Sequence, residues 1–170
     1  MSKKIASVMS HLFEDSEYTS PLKAMQKDGH DVVVVGPKQG QELKSKQGEA
    51  EVTVDIAIGD ASPEDYDALL IPGGFSPDII RTDERFVEFA KHFVLYDKPI
   101  LTICHGPQLL ITADVLHGRN LTGFKSIIQD LRNAGANFFD EEVVVCGNLV
   151  TSRTPDDLNA FNRESLKKLK

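Results

Sequence analysis

Short apolar runs alternate with stretches of helical period along the 170 residues, a pattern that predicts an α/β chain with a parallel sheet. Residues 3–9, KKIASVM, read as a first strand. Residues 19–29, TSPLKAMQKDG, read as a helix that turns Leu22, Ala24 and Met25 inward and stops at Gly29. The four valines of 31–37 mark a strand covered on both faces. Residues 42–58 change character and predict a hairpin about Gly48 at a sheet edge. Ser62-Pro63-Glu64 offers an N-cap and a proline at the first helical position, before a buried strand over 68–74. Thr82 is expected to cap a helix over 83–97, where Phe86, Phe89, Ala90 and Phe93 recur at helical spacing. Then follow a strand over 99–104, a helix over 106–118, a short strand at 120–123 and an amphipathic helix over 125–135. Strands 142–148 and 149–153 meet at a Gly-Asn turn, and Thr154-Pro155-Asp156-Asp157 opens a last helix. No linker or repeat interrupts the series. Residues 1–170 therefore read as one flavodoxin-like domain, a doubly wound, mostly parallel sheet with helices on both faces.

Open sheets of this kind bind ligands at the carboxyl ends of their strands, so the residues delivered there are the candidates for chemistry. The first strand ends near Glu14, Asp15 and Glu17, the 68–72 strand in Pro72-Gly73-Gly74, and the 99–104 strand in Cys104-His105-Gly106. A strand turning sharply into a helix presents its turn residue outward. The helix start beyond Gly106 would favour a thiolate at Cys104 and lower its pKa. A buried, inert thiol suits the same local pattern. His105 could act as acid or base only if its ring reaches the sulfur, which calls for an orienting partner. Gly73 and Gly74 could bring backbone N–H groups to an oxyanion, or form a plain tight turn. A carboxylate of the 14–17 stretch could share a proton with the thiol if its own pKa were raised, or sit in a solvated loop or helix start.

Composition narrows the classes. Nineteen Lys and Arg against 26 Asp and Glu leave a net charge of −7, which argues against nucleic-acid or anionic-membrane partners. No apolar run nears the ~18 residues of a membrane span, and the N-terminus lacks the apolar core of a signal peptide. A cytoplasmic setting is expected. The two cysteines form no disulfide framework; Cys146, among valines, reads as packing. His11, His30, His92 and His117 show no metal-ligand spacing, and no phosphate-binding glycine motif occurs. No metal or cofactor is expected. A glutamine amidotransferase would need a later histidine followed two residues on by an acid, whereas His117 is followed by Gly118 and Arg119.

Nearly the whole chain resembles the ThiJ/PfpI superfamily, and most closely its PfpI-like intracellular protease and general-stress-protein branch. The resemblance lies in FEDSEYTSPL, DALLIPGG, KPILTICHGPQLL, GRNLTG and VVVCGNLVTSRTPDDL, in that order. It implies that Cys104 is a nucleophile on a strained elbow and His105 its catalytic partner. Glu17 would hydrogen-bond the thiol, Glu14 would be a second acid of the same loop, and Gly73 and Gly74 would flank the oxyanion position. It further implies that Asp78, from a neighbouring subunit, orients His105, and so a homodimer or larger oligomer. Two positions depart from the pattern: Asp78 stands where a glutamate is common, and Phe124 where some relatives carry tyrosine. The activity implied is a cysteine-dependent, stress-related hydrolase acting on peptides, glycated proteins or 2-oxoaldehydes such as methylglyoxal. The alternative is a non-catalytic redox sensor or chaperone whose Cys104 is oxidised to a sulfinate beside Glu17.

Overall fold

The computed structural model describes all 170 residues. In chain order, β1 (Lys4–Val8), α1 (Asp15–Lys27) and β2 (Asp31–Gly36) are followed by the hairpin β3 (Glu42–Lys44) and β4 (Glu51–Thr53) and by β5 (Ile56–Ala57). Next come β6 (Ala68–Ile71), α2 (Ser76–Ile80), α3 (Glu84–Leu95), β7 (Ile100–Ile103), α4 (Pro107–Thr112) and β8 (Asn120–Leu121). The chain closes with α5 (Ile128–Asn133), β9 (Asn137–Phe138), β10 (Val144–Cys146), β11 (Leu149–Ser152) and α6 (Leu158–Lys168).

Seven strands form the main sheet in the order β10-β11-β7-β6-β1-β2-β5, parallel throughout except for the β10–β11 pair. Both faces are covered, which explains the uninterrupted apolar strands. Alternate residues serve opposite layers. Ala6, Leu69, Ile71 and Ile100 pack with Phe86, Phe89, Phe93 and Leu110 of α3 and α4. Ile5, Leu70, Leu101 and Ile103 pack with Met25 of α1 and Phe161 of α6. The chain winds from β1 outward to β2 and β5, then crosses to β6 on the other side of β1. The crevice at the carboxyl ends of β1 and β6 is thus the switch point where open sheets form sites, and β7 lies next to it.

Several boundaries differ from the sequence expectation for identifiable reasons. Helix α1 starts at Asp15, four residues before the expected start, and runs through Pro21; the proline reads as a start signal but lies inside the helix. Asp15 and Glu17 therefore occupy its first turn, where acids complement the helix dipole. Helix α3 is capped by Asp83, whose carboxylate accepts from the Arg85 backbone N–H at 3.0 Å. Thr82 instead donates to the Ile79 carbonyl and closes the short α2, a helix that the sequence reading does not assign. Helix α4 ends by Thr112, with Asp114 in left-handed backbone at φ 57°. Strand β9, two residues pairing with β8 outside the main sheet, carries too little pattern to be foreseen.

Candidate active site

Cys104 follows directly on β7 with φ at 62°, a strained conformation for a residue with a side chain. The bend takes Sγ out of the strand line. His105 Nδ1 lies 3.3 Å from that sulfur. On the far side of the ring, Nε2 is 3.0 Å from Ser126 Oγ, and Phe124 packs against the imidazole with the rings tilted by 33° and their centroids 4.7 Å apart. Adjacent residues can cooperate here because the elbow rotates both side chains to one side. The partner that orients His105 within the chain is Ser126, which no sequence motif marked.

Glu17 comes up from α1 and is fully buried. Its Oε1 accepts from the Gly73 backbone N–H at 2.8 Å. Its Oε2 has no hydrogen-bond partner, and the carboxyl interacts with the Cys104 thiol. Burial is the main cause that lifts the Glu17 pKa from 4.5 to about 8, so the carboxyl holds a proton at neutral pH and can donate to sulfur. Gly73 is needed for this approach: a Cβ there would run into Glu17 Oε1 and the Cys104 Cβ. Gly74, at φ 75°, pairs with Phe13 and leaves no room for a side chain beside the Leu12 carbonyl. The backbone N–H groups of His105 and Gly74 favour a charged Sγ, against the larger effect of burial.

The electrostatics of the thiol differ from the sequence expectation. A lowered pKa was expected from the helix start, but α4 has only six residues. Burial, with Cys104 7% exposed, raises the thiol instead, and a charged Glu17 would raise it further. The His105 pKa is lowered, chiefly by burial and then by Lys46, with Asp78 acting in the opposite direction. His105 is therefore neutral near pH 7 and able to accept a proton.

Glu14 is the N-cap residue of α1, and its backbone N–H donates to the Gly73 carbonyl. Its carboxylate lies 3.5 Å from Lys46 Nζ. Lys46 belongs to the 45–50 turn of the β3–β4 hairpin, and Asp15 pins that turn. The buried Asp15 carboxylate accepts from Ser45 Oγ at 2.7 Å and from the backbone N–H groups of Gln47, Glu49 and Ala50 at 2.7–2.9 Å. Neither Lys46 nor the Asp15 clamp was legible in the sequence. Asp78 lies apart from the sulfur, 67% exposed on α2 and 3.9 Å from Arg81. It makes no hydrogen bond to His105 of its own chain. The structure thus brings Cys104, His105, Glu17, Glu14, Gly73 and Gly74 together and leaves Asp78 at the surface.

A buried carboxyl and a thiol on a left-handed elbow, at the switch point of a parallel α/β sheet, define a DJ-1/PfpI-type architecture. The sequence profile of the DJ-1/PfpI family matches residues 3–168, and the chain belongs to that family. It is 59% identical over 167 residues to General stress protein 18 of Bacillus subtilis, covering 98% of this chain and 97% of that protein. It is 56% identical over 170 residues to Protein/nucleic acid deglycase 2 of Escherichia coli, covering 99% of each. Among solved structures, the two-domain protein of Anabaena variabilis with DJ-1/ThiJ/PfpI-like and ferritin-like domains superposes with a TM-score of 0.96 at 38% identity. That match covers 98% of this chain and 48% of the longer one. No helix is long and apolar enough to cross a membrane.

Proposed function

We propose that the chain is a cysteine-dependent hydrolase that removes 2-oxoaldehyde damage, acting on methylglyoxal-type carbonyls and on glycated peptides or proteins. The observation that carries this reading is the placement of one sulfur against both a proton-holding carboxyl and a neutral imidazole, Glu17 and His105. Cys104 Sγ adds to the aldehyde carbon, the thiol proton passes to His105 Nδ1, and the carbonyl oxygen takes a proton held in the site. A proton then moves from the former aldehyde carbon to the neighbouring ketone carbon through an enediol, leaving a thioester on Cys104. Water hydrolyses the thioester, releasing a 2-hydroxy acid and the free thiol. The sum is one 2-oxoaldehyde plus one water to one 2-hydroxy acid. One carbon is oxidised and its neighbour reduced, so no external oxidant is required. Gly74 and the His105 backbone N–H supply the oxyanion donors. The deglycase relative supports this substrate class.

The working form is proposed to be a dimer or larger assembly in which Asp78 of a second copy meets His105. Leu12, Phe75 and Ile79 are exposed on the same rim as Asp78, as a contact surface would require. The decisive comparison is wild type against Cys104→Ser on methylglyoxal, a methylglyoxal-treated thiol and an unstructured peptide, with the wild-type thiol first confirmed as reduced. Turnover of the carbonyl substrates should vanish in the variant. Absence of Cys104-dependent turnover on all three would remove the hydrolase reading. The oxidation sensor would then remain, since the Glu17 proton beside Cys104 also suits a sulfinate.

A further inference from the structure

The 11–14 segment lies between the β3–β4 hairpin and the glycines of the site, and its backbone bonds to both. On the hairpin side, the Leu12 N–H donates to the Lys44 carbonyl at 2.6 Å and the Lys46 N–H to the Phe13 carbonyl at 2.8 Å. On the other side, Phe13 bridges to Gly74, the Phe75 N–H donates to the Leu12 carbonyl at 2.8 Å, and the Glu14 N–H donates to the Gly73 carbonyl at 3.2 Å. The hairpin turn is thereby tied to the mouth of the site, and Lys46 is the cation it brings there. The Lys46 ammonium lies 3.5 Å from the Glu14 carboxylate and 5.4 Å from the centroid of the Phe75 ring. Glu14 is the N-cap residue of α1, yet its side chain makes no capping bond. It reaches instead to Lys46 and, at 3.4 Å, to the Gln47 side-chain amide. Asp15 pins the same turn, so two consecutive acids position one ammonium that is still 41% exposed. An ion pair this open to solvent adds little to stability, so stability does not account for the arrangement. The Lys46 charge reaches both groups that flank the sulfur: it acts on His105, where Asp78 opposes it, and on Glu17, where Glu14 opposes it.

We propose that Lys46 is a working cation of the site, placed to bind a negatively charged oxygen on a group held at the Cys104 sulfur. The role it takes in turnover rests on the hydrolase reading, in which such an oxygen forms after the thiol has added to the aldehyde. Removal of the proton from the former aldehyde carbon makes the carbon–carbon double bond and moves the electron pair of the ketone onto its oxygen. The neighbouring hydroxyl proton then crosses to that oxygen, and the proton taken from carbon returns at the former ketone carbon. Between these steps the ketone oxygen carries a full negative charge, while the Gly74 and His105 N–H groups serve the oxygen of the carbon that Cys104 attacks. A cation already in place where charge develops lowers the barrier without reorganisation. Lys46 is thus assigned to the second oxygen of the substrate, and Glu14 to holding the ammonium in position.

The test compares wild type, Lys46→Met and Lys46→Arg in two assays. The first is turnover of methylglyoxal across pH. Lys46→Met should lower kcat about tenfold, the scale of one lost charged contact, and Lys46→Arg should restore most of it. Because Lys46 lowers the His105 pKa, the acid limb of kcat/KM should also move to higher pH in the methionine variant. The second assay needs no turnover: alkylation of Cys104 by iodoacetate, an anion, and by neutral iodoacetamide, read on the Cys104 peptide by mass spectrometry so that Cys146 does not contribute. The ratio of the two rate constants should fall about tenfold in Lys46→Met and be kept in Lys46→Arg. A structural role for Lys46 would change both alkylation rates alike. An unchanged ratio therefore overturns the proposal even if kcat falls, and full turnover by Lys46→Met overturns the catalytic assignment even if the ratio falls. If wild type turns over no methylglyoxal but the ratio still depends on the charge at position 46, the hydrolase reading fails and the cation site stands. If wild type is active and Lys46→Met matches it in both assays, the cation site fails alone.

Discussion

Glu17→Gln should stabilise the protein increasingly as pH rises from 5 to 8. Glu17 is fully buried, and its carboxyl stays protonated up to about pH 8 in the folded protein. In the unfolded chain it ionises near its ordinary 4.5. Across that interval the unfolded state gives up a proton that the folded state retains, so stability falls as pH rises. Each pH unit is worth ~1.4 kcal/mol, and the interval of ~3.5 units amounts to about 5 kcal/mol. Glutamine keeps the shape and the acceptor for Gly73, and offers an N–H where protonated Oε2 offers an O–H. It does not titrate. The variant and wild type should therefore be alike below pH 4.5 and separate by ~1.4 kcal/mol for each unit above it. The assay is urea unfolding at pH 5, 6.5 and 8, followed by circular dichroism because the chain has no tryptophan. Both proteins carry Cys104→Ser, so that sulfur titration does not overlap. A gap of about 4 kcal/mol opening between pH 5 and 8 is expected. Parallel curves would show that Glu17 is ionised in the folded state, and the proton inventory of the site would have to be redrawn.

Asp15→Ala removes an acceptor shared by four donors and should cost about 2–4 kcal/mol in denaturant midpoint experiments. It should also speed amide exchange at Gln47, Glu49 and Ala50, and unchanged exchange there would refute the clamp. Burial works against the Asp15 charge, but the bonds from Ser45, Gln47, Ala50 and Glu49 outweigh it and hold its pKa below 3.8. Its share of stability is thus present above that value and is lost as acid protonates it, a loss absent from the alanine variant's acid titration. Ser126→Ala and Asp78→Ala separate two ways of directing His105. The first should lower kcat about tenfold with KM unchanged. Because Asp78 raises the His105 pKa, the second should shift the acid limb of kcat/KM to lower pH. An Asp78→Ala profile identical to wild type would remove that residue from the site.

The sheet and its switch point were legible because they depend on coarse signals. Consecutive apolar strands, glycine stops and helical phenylalanine spacing all survive errors of a few residues. The site was legible where it depends on chain position, since Cys104, Gly73-Gly74 and Glu17 each follow a strand that had to end at the same edge. The parts not foreseen depend on side chains meeting across long sequence gaps. Ser126 reaches His105 from 21 residues away, and Asp15 gathers the 45–50 turn from at least 30. Nothing periodic marks either. The thiol's electrostatics were misjudged for a related reason: a helix start is visible in sequence, whereas burial of the sulfur beside a carboxyl is not.

That correction changes what the elbow does. A preformed thiolate would need a strong positive field, and six residues of α4 supply little of one. The site instead surrounds the sulfur with groups that favour charge only as it forms. Backbone N–H groups of Gly74 and His105 favour the charged sulfur. Protonated Glu17 adds an O–H, and once it does, the repulsion that a carboxylate would exert on a thiolate is gone. In the proposed mechanism His105, kept neutral by burial and Lys46 and 3.3 Å from Sγ, would take the departing proton, and Ser126 would accept from the far ring nitrogen of the resulting imidazolium. The raised thiol pKa and a nucleophilic Cys104 are therefore compatible. On the proposed mechanism the cost of charging a buried sulfur would be offset by the Gly74 and His105 N–H groups, the Glu17 proton and the His105 base, so removing Glu17's proton should impair attack even though it brings no new bulk into the site.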